Sequence, residues 1–261
     1  MTSPARPDSP AVPVRAATLA STGRWLAAGW RDFARNPGPG FVHGAALALF
    51  GALLFALAHD RFWLLAGAFS GFLLLAPILA TGLYAISRGV ERGERVDMRT
   101  ALAAWRPRNR NLVVFGVLLA AAGTGWVLCS AALITLFADA PVRNPLDFVR
   151  VVVLSPDPTL FAAWLALGGT LAAPVFASTV VAIPLLLDRD VGLWRAVMTS
   201  WRVVVENPLP LALWAAILML VTAAAIVAGV LGLLVVVPWL AHASWHAYRD
   251  LVDASQLPEA R

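Results

Sequence analysis

Apolar positions in this chain gather into six runs, 41–58, 62–87, 112–137, 160–187, 208–228 and 232–248, and none of them holds an Asp, Glu, Arg or Lys. A helix needs roughly 20 such residues, at about 1.5 Å each, to cross a hydrocarbon core of about 30 Å. Spanning strands would alternate polar and apolar residues instead, and no run does so. The pattern predicts an all-α polytopic membrane protein with six transmembrane helices. Pro77, Pro174, Pro184 and Pro238 fall inside the even-numbered runs, where kinks are expected because Pro removes a backbone donor. His59-Asp60-Arg61 and the 229–232 turn are very short breaks, so the helices they join are expected to run antiparallel. Gly67 and Gly71 make a small-residue step suited to close helix approach.

The polar stretches before the hairpins read as amphipathic helices lying at the membrane surface. In 17–35, Leu19, Leu26, Trp30 and Phe33 share a face with Trp25 beside it, while Arg24, Arg31 and Arg35 point elsewhere. A second such helix starts at Asp97 as its N-cap and runs through Ala101, Leu102 and Trp105. A third, capped by Asp190, places Val191, Trp194, Val197, Trp201 and Val204 on one face.

One phrase marks the passage from these helices into the membrane. Trp30-Arg31 is followed by Asn36-Pro37, and Trp201-Arg202 by Asn207-Pro208, with the same spacing. Trp105-Arg106 with Asn111 is a weaker third copy that has Leu112 in place of Pro. Trp suits the interface and Arg stays on its wet side, while Asn-Pro caps and opens a new helix. Pro77-Ile78-Leu79-Ala80 is echoed by Pro238-Trp239-Leu240-Ala241. Three tandem units follow, each an interfacial helix and then a two-helix hairpin.

Composition sharpens this picture. Hydrophobic residues make up 60% and charged residues 13% of the chain, and the mean hydropathy is +0.76, which excludes an ordinary soluble domain. The net charge of +5 comes from twenty basic residues, all of them Arg, and reads as cytoplasmic-loop charge rather than nucleic-acid binding. All but Arg61, Arg143 and Arg150 fall in 1–35, 88–110, 188–206 and the C-terminal segment, so both termini are expected on the cytoplasmic side. Residues 1–16, with Pro4, Pro7, Pro10 and Pro13, are expected to form a disordered cytoplasmic tail. The membrane domain is expected over 17–253 and a short tail over 254–261. Cys129 is alone, which leaves no disulfide or thiolate cluster.

Candidate chemistry is sparse. Uncharged spans argue against a proton-coupled pump. His43, His242 and His246 are the weak candidates for haem or metal binding, the last two sharing a helical face. Asp188 and Asp190 read as helix termination and capping. No catalytic triad, phosphate loop or zinc-spaced set stands out, so neither an enzyme nor a cofactor is expected. The arginines of 88–110 sit where anionic lipid headgroups lie.

Gly29-Trp30-Arg31 with Asn36-Pro37-Gly38-Pro39, and Pro184-Leu185-Leu186-Leu187-Asp188-Arg189-Asp190 leading to Ser200 and Asn207-Pro208, resemble a family of bacterial integral membrane proteins, domain of unknown function 2189. The likeness would cover about 17–253. It implies a six-helix inner-membrane protein and brings no activity or site residues with it. The expected role is a non-enzymatic membrane module that packs with membrane lipids, with a partner membrane protein or with a second copy, and not with nucleic acid. A permease for a small apolar or lipid-like solute is the alternative, motivated by the prolines, and a haem- or metal-binding protein the third.

Overall fold

The structure is a computed structural model that describes residues 11–58, 80–104, 110–228 and 231–260. Among these residues the regular structure is helical, apart from two isolated β-bridges. Helix α1 (Leu19–Arg35) leads into α2 (Pro37–Ala58). After 59–79 come α3 (Thr81–Glu91), α4 (Met98–Ala104) and the long α5 (Arg110–Phe137). A short α6 (Pro145–Phe148) continues into a π turn, Val149–Val153. Then follow α7 (Thr159–Thr179), α8 (Ala182–Asp188), α9 (Leu193–Glu206), α10 (Pro208–Val227) and α11 (Leu233–Leu251).

Among the described residues four stretches are long and apolar enough to cross a membrane: Pro37–Leu54, Arg110–Phe137, Thr159–Asp188 and Pro208–Val227. They correspond to the first, third, fourth and fifth runs of the sequence. Most of the second run, with the His59–Arg61 turn, Gly67, Gly71 and Pro77, lies outside the described residues. The sixth run is a continuous helix, α11, that passes through Pro238. Its C-terminal half carries the polar His242, Ser244, His246 and Arg249, so α11 is less apolar than the four and does not join them.

The fourth run is broken. α7 ends at Thr179 and α8 starts at Ala182, because Pro184 has no N–H with which to bond the carbonyl one turn back. The Val181 N–H exposed by the break is caught by Ser200 Oγ at 3.1 Å. Of the other expected kink sites, Pro174 lies inside α7 on an exposed face and Pro238 is buried in α11.

Helix α11 is the hub and packs on α1, α2, α3 and α10. The buried face of α1 is Ser21, Thr22, Trp25, Gly29, Asp32 and Phe33. Leu19 and Trp30, on the apolar face expected to lie at the membrane surface, are 54% and 46% exposed. The reason is the close approach to α11: a Cβ on Gly29 would lie 2.4 Å from the Ala243 backbone nitrogen. Contact at Gly29 turns the Trp25 side of the helix inward, where Trp25 meets the buried Trp214 edge-on at 5.5 Å. A smaller cluster of Ile134, Val142 and Val152 packs with Phe148 and Trp164 around the π turn.

Residues 12–16 and 254–260 are packed where the sequence suggested tails. Val12 is buried, Val14 bridges Val252, and Arg15 N–H donates to Leu251 O at 2.8 Å. The expected disorder to residue 16 therefore does not extend over 12–16, because backbone pairing satisfies these groups. At the other end Ala254 and Leu257 are buried, and Asp190 N–H donates to Pro258 O at 2.9 Å. Asp190 is thus tied to the C-terminal segment, and Gly192 takes the N-cap position of α9. Asp97 caps α4 as expected, accepting from Arg99 and Thr100 N–H groups at 2.8 and 3.2 Å.

The two glycines of α1 make a test. Gly23 has open space around its Cβ position, so G23A should leave stability unchanged or raise it by up to about 1 kcal/mol. G29A should lower it by about 1–3 kcal/mol, because α1 must lift from α11. Thermal denaturation of the two variants in detergent, side by side, checks this.

A buried polar junction as the candidate functional site

Three helices bring polar side chains together in the interior. From α1 comes Asp32, 5% exposed, from α3 Ser87, and from α11 His242 and His246 one turn apart. His246 Nε2 lies 2.8 Å from Asp32 Oδ2, and Ser87 Oγ donates to the same oxygen at 2.7 Å. Ser87 also lies 2.8 Å from His242 Nδ1. Ser87 has a single proton, which goes to Asp32, so His242 Nδ1 must be the donor in that bond. His242 Nε2 is then an acceptor, buried and without a hydrogen-bond partner among the described residues. Towards the surface, His246 Nδ1 faces Glu91 at 3.8 Å, and Arg249 closes on Glu91 at 3.2 Å.

A second cluster adjoins this one. Asp188, the last residue of α8 and 2% exposed, accepts from Tyr248 OH at 2.8 Å and Arg189 Nε at 3.1 Å. Arg249 and Arg92 approach it at 3.8 and 3.9 Å. Arg92 also holds Glu259 of the C-terminal segment at 2.9 Å. Arg249 links the clusters by touching both Glu91 and Asp188. The capping role read for Asp188 thus gives way to a buried anchor that meets four side chains from three parts of the chain.

Burial raises the cost of ionising Asp32, but hydrogen bonds from His246 and Ser87 and the nearby imidazoles outweigh it and hold its carboxyl below the usual range. Chemically the junction is an ion-pair network with the wrong bonding order for acyl transfer. In a triad the imidazole stands between hydroxyl and carboxylate, whereas here the Ser87 hydroxyl bonds the carboxylate directly. Ser87 and His242 are also fully buried.

The three candidate histidines take different hydrogen bonds. His242 and His246 join the junction, while His43 of α2 points Nδ1 at Pro39 O at 2.7 Å, and its ring lies against Gly82. With His246 held by Asp32, the trio does not form a common ligand set. Among the described residues no group of three or more His, Cys, Asp or Glu is placed to hold a metal.

The repeated phrase has a consistent geometry. Asn36 (φ −134°, ψ 65°) and Asn207 (φ −129°, ψ 52°) occupy matching bends, and each is followed by Pro as the first residue of a spanning helix. Trp30 is partly exposed against Trp239, and Trp201 donates to Ser178 Oγ at 2.9 Å. Arg31 is exposed; Arg202 pairs with Glu206 and reaches Val12 O. Asn207 holds the N-cap position of α10 without a side-chain cap bond; its side chain, 2% exposed, instead accepts from Ala17 N–H at 2.7 Å and donates to Arg15 O at 3.2 Å. In the third copy, Trp105 and Arg106 lie outside the described residues, and Asn111 sits inside α5 and donates to Val191 O at 3.1 Å.

Sequence reading passed over Asp32, Ser87, Glu91 and Tyr248. A signal for Asp32 existed: it follows Trp25 and Gly29 at helical spacing, a polar residue on what proves to be the packed face.

A bundle of long apolar helices with its charges gathered at helix ends defines a helical integral membrane protein. The chain matches the family described as predicted integral membrane protein, domain of unknown function 2189, over residues 64–188. Of the residues that carried the resemblance, the match reaches only Pro184–Asp188, while Trp30–Pro39 and Asn207-Pro208 lie outside it; the chain is an integral membrane protein, similar to this family over that stretch rather than over 17–253. The match takes in Ser87 and Asp188 of the junction, while Asp32, His242 and His246 fall outside it. No curated protein and no solved structure matches the chain.

The Asp32 bond gives a pH prediction. A carboxyl held lower in the folded state contributes stability that is complete above its unfolded value, near 4, and is lost as pH falls through the depressed folded value. Thermal stability in detergent should therefore drop below about pH 4 with a component that D32N abolishes. At neutral pH D32N itself should cost about 1–3 kcal/mol, since His246 and Ser87 lose a charged acceptor.

Proposed function

We propose that this protein is a non-enzymatic module of the bacterial inner membrane that works by packing with lipid or with a partner membrane protein. One observation carries this reading: a groove of about 750 Å³ between α7 and α10, lined by Ala172, Phe176, Leu211, Ala215, Leu218 and Met219. It runs along two helices that are long enough to cross the membrane, and it opens outward, where lipid tails lie. Small side chains set its depth, and Thr222 is the polar exception in its lining. An acyl chain is the occupant this chemistry suits, because it needs no hydrogen-bond partner. The sealed Ser87 and His242 favour a structural use of the polar junction over catalysis.

The same reading has the chain cross six times, as three tandem units with both ends on the cytoplasmic side. The matching bends at Asn36 and Asn207 support the repeat. The bridge between Val14 and Val252 supports an even number of crossings, since it holds the two ends on one side. The break between α7 and α8 favours a second reading, a permease for a small apolar or lipid-like solute, because interrupted helices line paths in transporters.

Native mass spectrometry of the protein taken from its own membrane in lipid nanodiscs tests the groove. The wild type should retain lipid, and A215W, which fills the groove, should retain about tenfold less. Bare protein in both cases rules out the lipid role, and a second chain of defined mass on the wild type turns the reading to a partner. Tags at the two termini should both be cleaved by protease added to inverted inner-membrane vesicles; protection of either sinks the six-crossing arrangement.

A further inference from the structure

We propose that the open cavity bordered by α3, α4, the start of α5 and the end of α8 binds a phosphate group, with the apolar part of the same ligand resting on its leucines. This deepens the lipid-packing reading above and rests on it. The cavity measures about 530 Å³, with Arg88, Arg110 and Thr100 on its polar side and Leu112, Leu186 and Leu187 on its apolar side.

The two arginines are the core of the site. Arg88 spends Nη1 on Leu187 O at 3.0 Å, which fixes its guanidinium and leaves further N–H donors. Arg110, the first residue of α5, is exposed. Among the described residues neither is paired with a carboxylate. The other arginine of the wall, Arg189, is already taken by Asp188 and by Leu257 O. Asp190 also lines the cavity, and the balance remains positive.

Position and chemistry agree. Arg110 opens one spanning helix and Leu187 nearly closes another, so the cavity stands where the hydrocarbon ends and lipid phosphates lie. A planar guanidinium meets phosphate through paired hydrogen bonds. A wall that sets three arginines beside three leucines and four alanines suits an amphipathic ligand better than a fully hydrated anion. Phosphate chemistry could reach it from an anionic phospholipid headgroup or from a soluble phosphate monoester.

The test uses the full chain in phosphatidylcholine nanodiscs, with and without phosphatidylglycerol, read by native mass spectrometry. Wild type should retain phosphatidylglycerol in preference to phosphatidylcholine. R88Q/R110Q should lower that preference at least tenfold, and R31Q/R35Q, which removes as much charge from α1, should leave it unchanged. Equal loss in both double variants, or none in R88Q/R110Q, overturns the site. Should R88Q/R110Q fail to fold, R110Q alone removes a side chain that forms no ion pair among the described residues, and a loss of about threefold is expected. Glycerol phosphate added to phosphatidylcholine discs separates the sources: retention that depends on Arg88 and Arg110, without a phosphatidylglycerol preference, assigns the site to a soluble ester. Retention of neither overturns it. Lipid still held irrespective of headgroup leaves the acyl groove standing while this site falls, whereas loss of all lipid removes both.

Discussion

A carboxylate taken out of water has to be paired, and Asp32 meets that demand through groups from two other helices. The cost of an unpaired buried charge is several kcal/mol, so the bonds to His246 and Ser87 oblige α1, α3 and α11 to meet in one arrangement. Gly29 permits the approach by leaving room for Ala243, and Trp25 completes it by donating to Asp250 at 2.9 Å. Hydrophobic contact between the same helices is tolerant of sliding and rotation. The polar bonds are not, and they give the bundle its register.

From this follows the division of the molecule into two chemical zones. Charged side chains collect where α1, α3, α8 and α11 end, and the Asp188 cluster ties the C-terminal segment to that zone through Arg92 and Glu259. The remainder of α5, α7 and α10 is apolar on its outer faces, with Leu128, Leu136 and Met219 each about two-thirds exposed or more. Surface of that kind is stable in lipid and unfavourable in water. The acyl groove lies in the apolar zone and the arginine cavity at the seam between the two, as an amphipathic ligand would need.

Much of the architecture was legible before any coordinate. Among the described residues four of the six apolar runs are helical stretches long and apolar enough to cross a membrane, and the Asn-Pro phrases stand as matching bends, because Pro removes a donor wherever it falls. The packed face of α1 was not legible: its apolar residues marked a Leu19–Trp30 side for the membrane surface, and the glycine that allows close packing lies on another. The packed ends were missed as well, since a Pro-rich composition describes a free chain and says nothing of a partner strand at Val252. Asp188 looked like a cap because its neighbours end a helix, yet its carboxylate is held by Tyr248, sixty residues away.

The sequence by itself determined that the chain is helical and lives in a membrane. In lipid each backbone group must be satisfied within its own segment, so length and absence of charge in a single run decide the matter locally. Only the tertiary structure decided which polar residues meet. Asp32 and His246 are 214 positions apart and Ser87 and His242 155, and no local period encodes such a pairing. It arises when α11 is laid against α1, and the close contact at Gly29 selects which side chains face one another.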